Sequence, residues 1–159
     1  MKRSRFCILA FGLLLVGGCA KNAQEVFEGG YSAYRKGDAD KAIAQYTEAI
    51  RMNPKYAEAY CNRGVAYRQK GDIDKAMADF SEAIRLDPKL TGAYYNRGFA
   101  YDKLGEHDKA IADFSEAIRL NPRDAGAYYN RGIAYQKKGD YGRAQGDFDQ
   151  ARTLGHKAF

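Results

Sequence analysis

Apolar and small side chains in this chain recur at spacings of three and four, and the whole arrangement returns every 34 residues. Around Tyr94 the pattern runs Tyr94, Gly98, Tyr101, and after a break at Gly105-Glu106 it resumes as Ala110, Phe114, Ala117. Spacings of three and four place each trio on one stripe of an α-helix, so the segment predicts two amphipathic helices. One period earlier stand Tyr60, Gly64, Tyr67 and Ala76, Phe80, Ala83; one period later stand Tyr128, Gly132, Tyr135 and Ala144, Phe148, Ala151. A still earlier copy keeps only its second half, in Ala42, Tyr46 and Ala49. About four two-helix units fit between residues 21 and 156.

The punctuation agrees with that division. Gly37-Asp38, Gly71-Asp72, Gly105-Glu106 and Gly139-Asp140 interrupt each unit, with a glycine suited to close one helix and an acid suited to open the next. Pro54, Pro88 and Pro122 disfavour helix in the residue before them and end the units. The small Gly98 and Ala110 predict close approach of two backbones, with Tyr94, Tyr101 and Phe114 filling the gaps, in an antiparallel helical hairpin. A fixed period of this length means stacked units that bury a continuous core. Ile43, Met77 and Ile111, with Ile50, Ile84 and Ile118, form a second apolar stripe that would receive the following unit. In the last copy these places hold Gln145 and Arg152, and Gly142 and Gly146 weaken that helix. A polar outer face is what a terminal unit needs, so the pattern predicts one finished domain rather than open-ended stacking.

These residues resemble the tetratricopeptide repeat family, whose pattern W-x2-L-G-x2-Y, A-x3-F, P is followed as Tyr60-x2-Arg63-Gly64-x2-Tyr67, Ala76-x3-Phe80, Pro88. The resemblance implies an all-α fold, a right-handed superhelical stack of antiparallel helix pairs, with units at about 23–56, 57–90, 91–124 and 125–156 and a tail at 157–159. Tyrosine replaces the family's tryptophan, and Arg63, Arg97 and Arg131 replace its leucine. Each copy with that arginine also has an aspartate on its second helix, Asp79, Asp113 or Asp147; in the first copy both change together, to Gly29 and Gln45, beside Val26 and Ala33. That covariation predicts ion pairs at the hairpin seam. The alternative is arginine stems lying over apolar surface with free heads.

In the family the first helix of each unit lines a concave groove. Turning about 100° per residue from Tyr94 puts Tyr95, Phe99 and Asp102 beside the packing stripe, with Asn96 and Lys103 at its far edge. The equivalents are Cys61, Val65, Arg68, Asn62 and Gln69 one unit earlier, and Tyr129, Ile133, Gln136, Asn130 and Lys137 one unit later. The resemblance therefore implies a peptide-binding groove of Asn62, Val65, Tyr95, Asn96, Phe99, Lys103, Tyr129, Asn130, Ile133 and Lys137. Its asparagine ladder would either hydrogen-bond a peptide main chain or secure neighbouring repeats. The family's best-known mode clamps a terminal carboxylate with basic side chains; Cys61, Tyr95, Tyr129, Gly92 and Gly126 at the corresponding places argue against it and favour apolar segments.

The N-terminus carries a separate signal. Met1 to Arg5 is a basic n-region, Phe6 to Val16 is an apolar h-region, and small residues lead to Cys19. Eleven apolar residues are too few to span a bilayer as a helix, which takes about 20. Val16-Gly17-Gly18-Cys19 resembles the bacterial lipobox, which implies cleavage after residue 18, lipidation of Cys19, and a short tether over 19–22. Ordinary secretion is the alternative. Two or three acyl chains hold a domain to a membrane almost permanently. Ala20, in place of the aspartate that retains such lipoproteins in the inner membrane, points to the outer membrane facing the periplasm; a Gram-positive source would place it on the outer face of the plasma membrane.

Charge and composition then remove competitors. Loss of Lys2, Arg3 and Arg5 takes the formal charge from +6 to +3, and no basic run occurs among the repeats, which argues against nucleic acid. Cys61 is the one cysteine of three that stays unmodified, so no internal disulfide is expected. His107, read as a solvated turn residue, and His156, read as part of a frayed end, have no partners at metal-ligand spacing. No phosphate-cradling loop or nucleophile elbow is present, and the carboxylates recur with the repeat. No enzyme, metal or cofactor is predicted. The expected function is a lipid-anchored scaffold or adaptor that binds other envelope proteins; the alternatives are a fixed structural subunit of an envelope assembly complex and a carrier of small apolar ligands.

Overall fold

The computed structural model describes residues 22–156. The expected leader at 1–18, the lipidation site Cys19 and the tail at 157–159 lie outside the described residues. Eight helices follow in order: α1 (Ala23–Arg35), α2 (Ala39–Met52), α3 (Ala57–Lys70), α4 (Ile73–Leu86), α5 (Thr91–Lys103), α6 (His107–Leu120), α7 (Ala125–Lys137) and α8 (Tyr141–Thr153). They pair as α1·α2, α3·α4, α5·α6 and α7·α8, and each second helix packs on the first helix of the next pair. The all-α stack of helix pairs is the expected fold class.

Each pair turns on one glycine. Gly37, Gly71, Gly105 and Gly139 have φ between +79° and +87°, a region that costs glycine no Cβ clash. The residue after each donates its backbone N–H to a carbonyl five residues back: Asp38 to Ala33, Asp72 to Tyr67, Glu106 to Tyr101 and Asp140 to Tyr135, at 2.9–3.0 Å. This is the Schellman closure of a helix C-terminus. Asp38 and Asp140 then accept from the backbone N–H of Lys41 and Arg143, opening the second helix. Pairs are joined differently. Asn53, Asp87 and Asn121 precede the prolines in extended conformation, and their side chains accept from the N–H two residues on, forming Asx turns.

Inside a pair the contact is glycine against an aromatic ring. A Cβ on Gly64 or Gly132 would lie 2.7 Å from the ring of Phe80 or Phe148, and one on Gly30 would lie 2.8 Å from Tyr46. Gly30 is thus the first pair's member of the glycine series. Phe80 and Phe114 are fully buried. Tyr101 packs against the cluster of Ala110, Phe114 and Ala134 as expected, whereas Tyr94 packs one turn along α6 against Ala117 and Ile118; both rings are half-buried and flank Arg97.

Between pairs the contact is made by alanine. Ala59, Ala93, Ala127, Ala66, Ala100 and Ala134 have no exposed surface and let each first helix settle onto the preceding second helix. Ile50 and Ile118 pack beside Ala59 and Ala127. At the far end Gln145 and Arg152 are exposed, as a terminal unit requires. The near end has the matching device, since Glu25 and Ser32 stand exposed on α1 where later pairs have alanine.

Candidate functional site

Two surfaces carry the polar chemistry of the stack. The first is the seam. Arg63, Arg97 and Arg131 each form a two-pronged ion pair with Asp79, Asp113 and Asp147 through Nε and Nη2, at 2.7–2.9 Å. The covariation seen in the sequence is therefore a contact. The third nitrogen, Nη1, donates to a hydroxyl of the preceding pair: Thr47 at 3.1 Å, Ser81 at 3.3 Å or Ser115 at 3.0 Å. One guanidinium thus ties three helices, and its planar fork is the geometry that allows it. Each also lies between two tyrosine rings of its own helix, as Arg63 does between Tyr60 at 5.4 Å and Tyr67 at 5.9 Å. The aspartates are buried, and their hydrogen bonds raise the arginine pKa values further. In the first pair Gly29 and Gln45 leave a shallow cleft lined by Gly29, Ala33, Lys36 and Gln45 in place of this assembly.

The second surface is formed by the first helices. α1 touches α3, α3 touches α5 and α5 touches α7, whereas the second helices make no such contacts with one another. The stack therefore closes toward the first helices, which makes theirs the concave side. Asn62, Val65, Asn96, Phe99 and Ile133 are half-buried on these helices, and Lys103 and Lys137 are exposed at their ends.

Several of these groove residues also hold the stack together. Tyr95 packs edge-on against Phe114 at 5.9 Å, and its hydroxyl accepts from the Asn130 amide at 2.8 Å across the repeat junction. Asn130 and Asn96 also donate to the carbonyls of Gly126 and Gly92, one turn back. Of the two roles weighed for the asparagine ladder, Asn130 serves repeat joining, and Asn96 bonds its own helix because Cys61 stands where a tyrosine would receive it. Tyr129 packs on Phe148 at 5.6 Å and stacks on His156 at 4.3 Å. Burial pushes the Tyr95 phenol upward, with Asp124 adding to the effect while the Asn130 bond and Arg68 oppose it. Burial pushes the Cys61 thiol up to about 12, with Glu58 adding and Arg68 opposing. Arg68 lies on the same side, over the ring of Phe99.

Both histidines differ from the expectation. His107 is the first residue of α6, and its Nδ1 lies 3.1 Å from Asp102, which also takes the Lys137 ammonium at 2.6 Å. His156 is ordered by its stack on Tyr129 and by its N–H bond to Ala151. It stands where earlier units have proline and helps line an open cleft of about 530 Å³ with Tyr129, Phe148, Ala151 and Arg152, the seat that another first helix would fill. Among the described residues no cluster of three potential metal ligands occurs.

Sequence reasoning missed the hydroxyls and the tyrosine sandwiches of the seam. Both were signalled: Thr47, Arg63 and Asp79 are 16 residues apart in steps, as are Ser81, Arg97 and Asp113. The concave pairing of Lys137 with Asp102 left no such signal, because it occurs once.

Comparison with known proteins agrees with this architecture. Models described as tetratricopeptide repeat match residues 27–90, 92–124 and 114–152. The crystal structure of MamA is 30% identical, with 84% of this chain and 78% of that one covered and a TM-score of 0.78. The Arabidopsis OM64 TPR domain is 32% identical, over 72% of this chain and 94% of that domain, with a TM-score of 0.70. The first TPR of Spaghetti (RPAP3), solved bound to an HSP90 peptide, is 26% identical over 74% of this chain and 94% of that one, with a TM-score of 0.72. An uncharacterized protein of Methanocaldococcus jannaschii is 35% identical over 48 residues, 30% of this chain; the match spans 56% of that curated relative's length. Sequence period, hairpin geometry and these likenesses converge: the chain belongs to the tetratricopeptide repeat family.

Proposed function

We propose that this protein is a lipid-anchored interaction scaffold of the bacterial envelope, which holds partner proteins by seating their peptide segments or helices against the concave side. The observation that carries the binding part is the composition of that side. Val65, Phe99 and Ile133 form a half-buried apolar floor, edged by the amides and cations at Asn62, Asn96, Lys103 and Lys137. A floor of apolar side chains with a few placed polar groups is the usual make-up of a recognition groove. Recognition of a peptide by the related first TPR of Spaghetti lends the reading support. The anchoring part rests on the basic n-region, the short apolar stretch and the lipobox-like Val16-Gly17-Gly18-Cys19. Ala20 favours the outer membrane within that reading.

Photocrosslinking tests the binding part without disturbing the core. A crosslinking residue at the exposed positions Gln69, Lys103 or Gln136 should trap envelope proteins, and one at the exposed Ala44, Ala78 or Ala112 on the second helices should not. Equal trapping from both sets would move the function to the outer face. For the anchor, the unmodified sequence should fractionate with membranes and incorporate palmitate, and Cys19→Ser should abolish the incorporation; a wild-type chain that is soluble and unlabelled would show plain secretion instead.

A further inference from the structure

One junction on the concave side is electrostatically mismatched. At the α5·α7 junction Lys137 and Asp102, 35 residues apart, form an ion pair at 2.6 Å. The same two positions one repeat earlier hold Lys103 and Arg68, two cations. Both lie over the ring of Phe99: the Arg68 guanidinium carbon is 4.8 Å from its centroid and the Lys103 ammonium 5.3 Å. Neither has a carboxylate within ion-pair distance among the described residues, whereas most other cations of the helices do. Two cations gathered on one ring repel each other, and the ring's quadrupole offsets only part of that repulsion. An anion placed between them would complete the arrangement that Asp102 supplies internally one repeat later.

We propose that the groove takes an acidic peptide segment of a partner protein, with an internal Glu or Asp carboxylate seated against Arg68 and Lys103 above Phe99. The proposal rests on the groove reading above and gives its partner a chemistry. The half-buried Val65 and Ile133 flank this spot along the stack, so apolar side chains next to the acid would find floor on both sides. Carboxylate is favoured over a bulkier anion because the equivalent site is already satisfied by one, in Asp102. A terminal carboxylate is disfavoured by the glycines and aromatics at the positions that would clamp one.

The test uses the purified full chain and two fluorescein-labelled heptapeptides with amidated C-termini, one of alternating glutamate and leucine and one of glutamine and leucine. Anisotropy should show the glutamate probe binding about tenfold tighter, since charge-assisted contacts exceed neutral ones by roughly that factor. The preference should shrink at high salt. Lys103→Glu supplies an internal partner to Arg68, so it should keep the fold and abolish the preference, while Lys89→Glu in an exposed turn should leave it intact. Equal binding of the two probes would overturn the carboxylate site but not the groove, provided crosslinking from position 103 still occurs. Retention of the preference in Lys103→Glu, or no binding of either probe, would also overturn it; the groove reading would then stand or fall on the crosslinking alone.

Discussion

The seam and the concave side share the first helices, yet they treat the 34-residue period in opposite ways. At the seam the tyrosine–arginine–aspartate–hydroxyl assembly is repeated three times with distances that agree within 0.3 Å for each bond. On the concave side the equivalent positions diverge: Arg68, Asp102 and Gln136, then Gln69, Lys103 and Lys137, then Val65, Phe99 and Ile133. A contact that must be made at every junction is specified identically each time, whereas a surface that faces outward is free to vary. In this protein, identity across repeats marks the fold, and under the proposed function difference across repeats marks the binding surface.

Substitutions can break that distinction in order of size. The largest effect belongs to Phe114→Ala, which empties a fully buried ring's place and should cost about 3–5 kcal/mol in denaturant unfolding. Phe99→Ala, on the half-buried concave side, should cost less than half as much while weakening partner binding. Next comes Asp113→Ala, which strands Arg97 beside a buried surface and should cost about 3 kcal/mol; a double-mutant cycle with Arg97→Ala should recover most of it. Ser115→Ala removes only the Arg131 Nη1 contact across the junction and should cost about 1 kcal/mol. The smallest effect is a gain. Gly29→Arg with Gln45→Asp would extend the seam into the first pair and replace a helical glycine, adding roughly 0.5–1 kcal/mol to stability. A loss there would mean that the first pair depends on the open cleft beside Gly29.

Alkaline titration sharpens the same contrast. In the fold, burial holds Cys61 at about 12 against an ordinary 9.0, and Tyr46 at about 12 against 10.0. Raised values mean that the unfolded chain ionises first, so this contribution to stability is whole below pH 9 and is lost as pH rises from 9 through 12. Thiolate absorbance should accordingly stay absent in the native protein near pH 10, and a thiol reagent should react with Cys61 only at the rate of opening. Rapid native-state reaction would contradict the burial of that residue.

Much of the fold was legible because each structural decision is written several times. Glycine before an acid at four turns, proline at three, and alanine and phenylalanine in register leave little freedom, and the covarying arginine and aspartate disclosed the seam. The first pair was less legible because Val26, Gly29 and Ala33 stand where later pairs have tyrosine, arginine and tyrosine, although Gly30 keeps the period and receives the Tyr46 ring. The concave side resisted for a physical reason. Whether Tyr95 or Asn130 faces a ligand or a neighbouring helix depends on the rise between repeats, which no single helix encodes. His156 likewise takes its place only once Tyr129 is oriented to stack on it.

Hydrogen exchange of the full chain, free and with a photocrosslinked partner bound, tests most directly whether the unrepeated surface is the working one. Protection should increase in α3, α5 and α7 around Arg68, Phe99, Lys103 and Ile133, with the outer faces of α4 and α6 unchanged. Protection appearing instead on the outer faces of α4 and α6 would contradict the assignment and make the outer side of the second helices, not the concave side, the surface that partners meet.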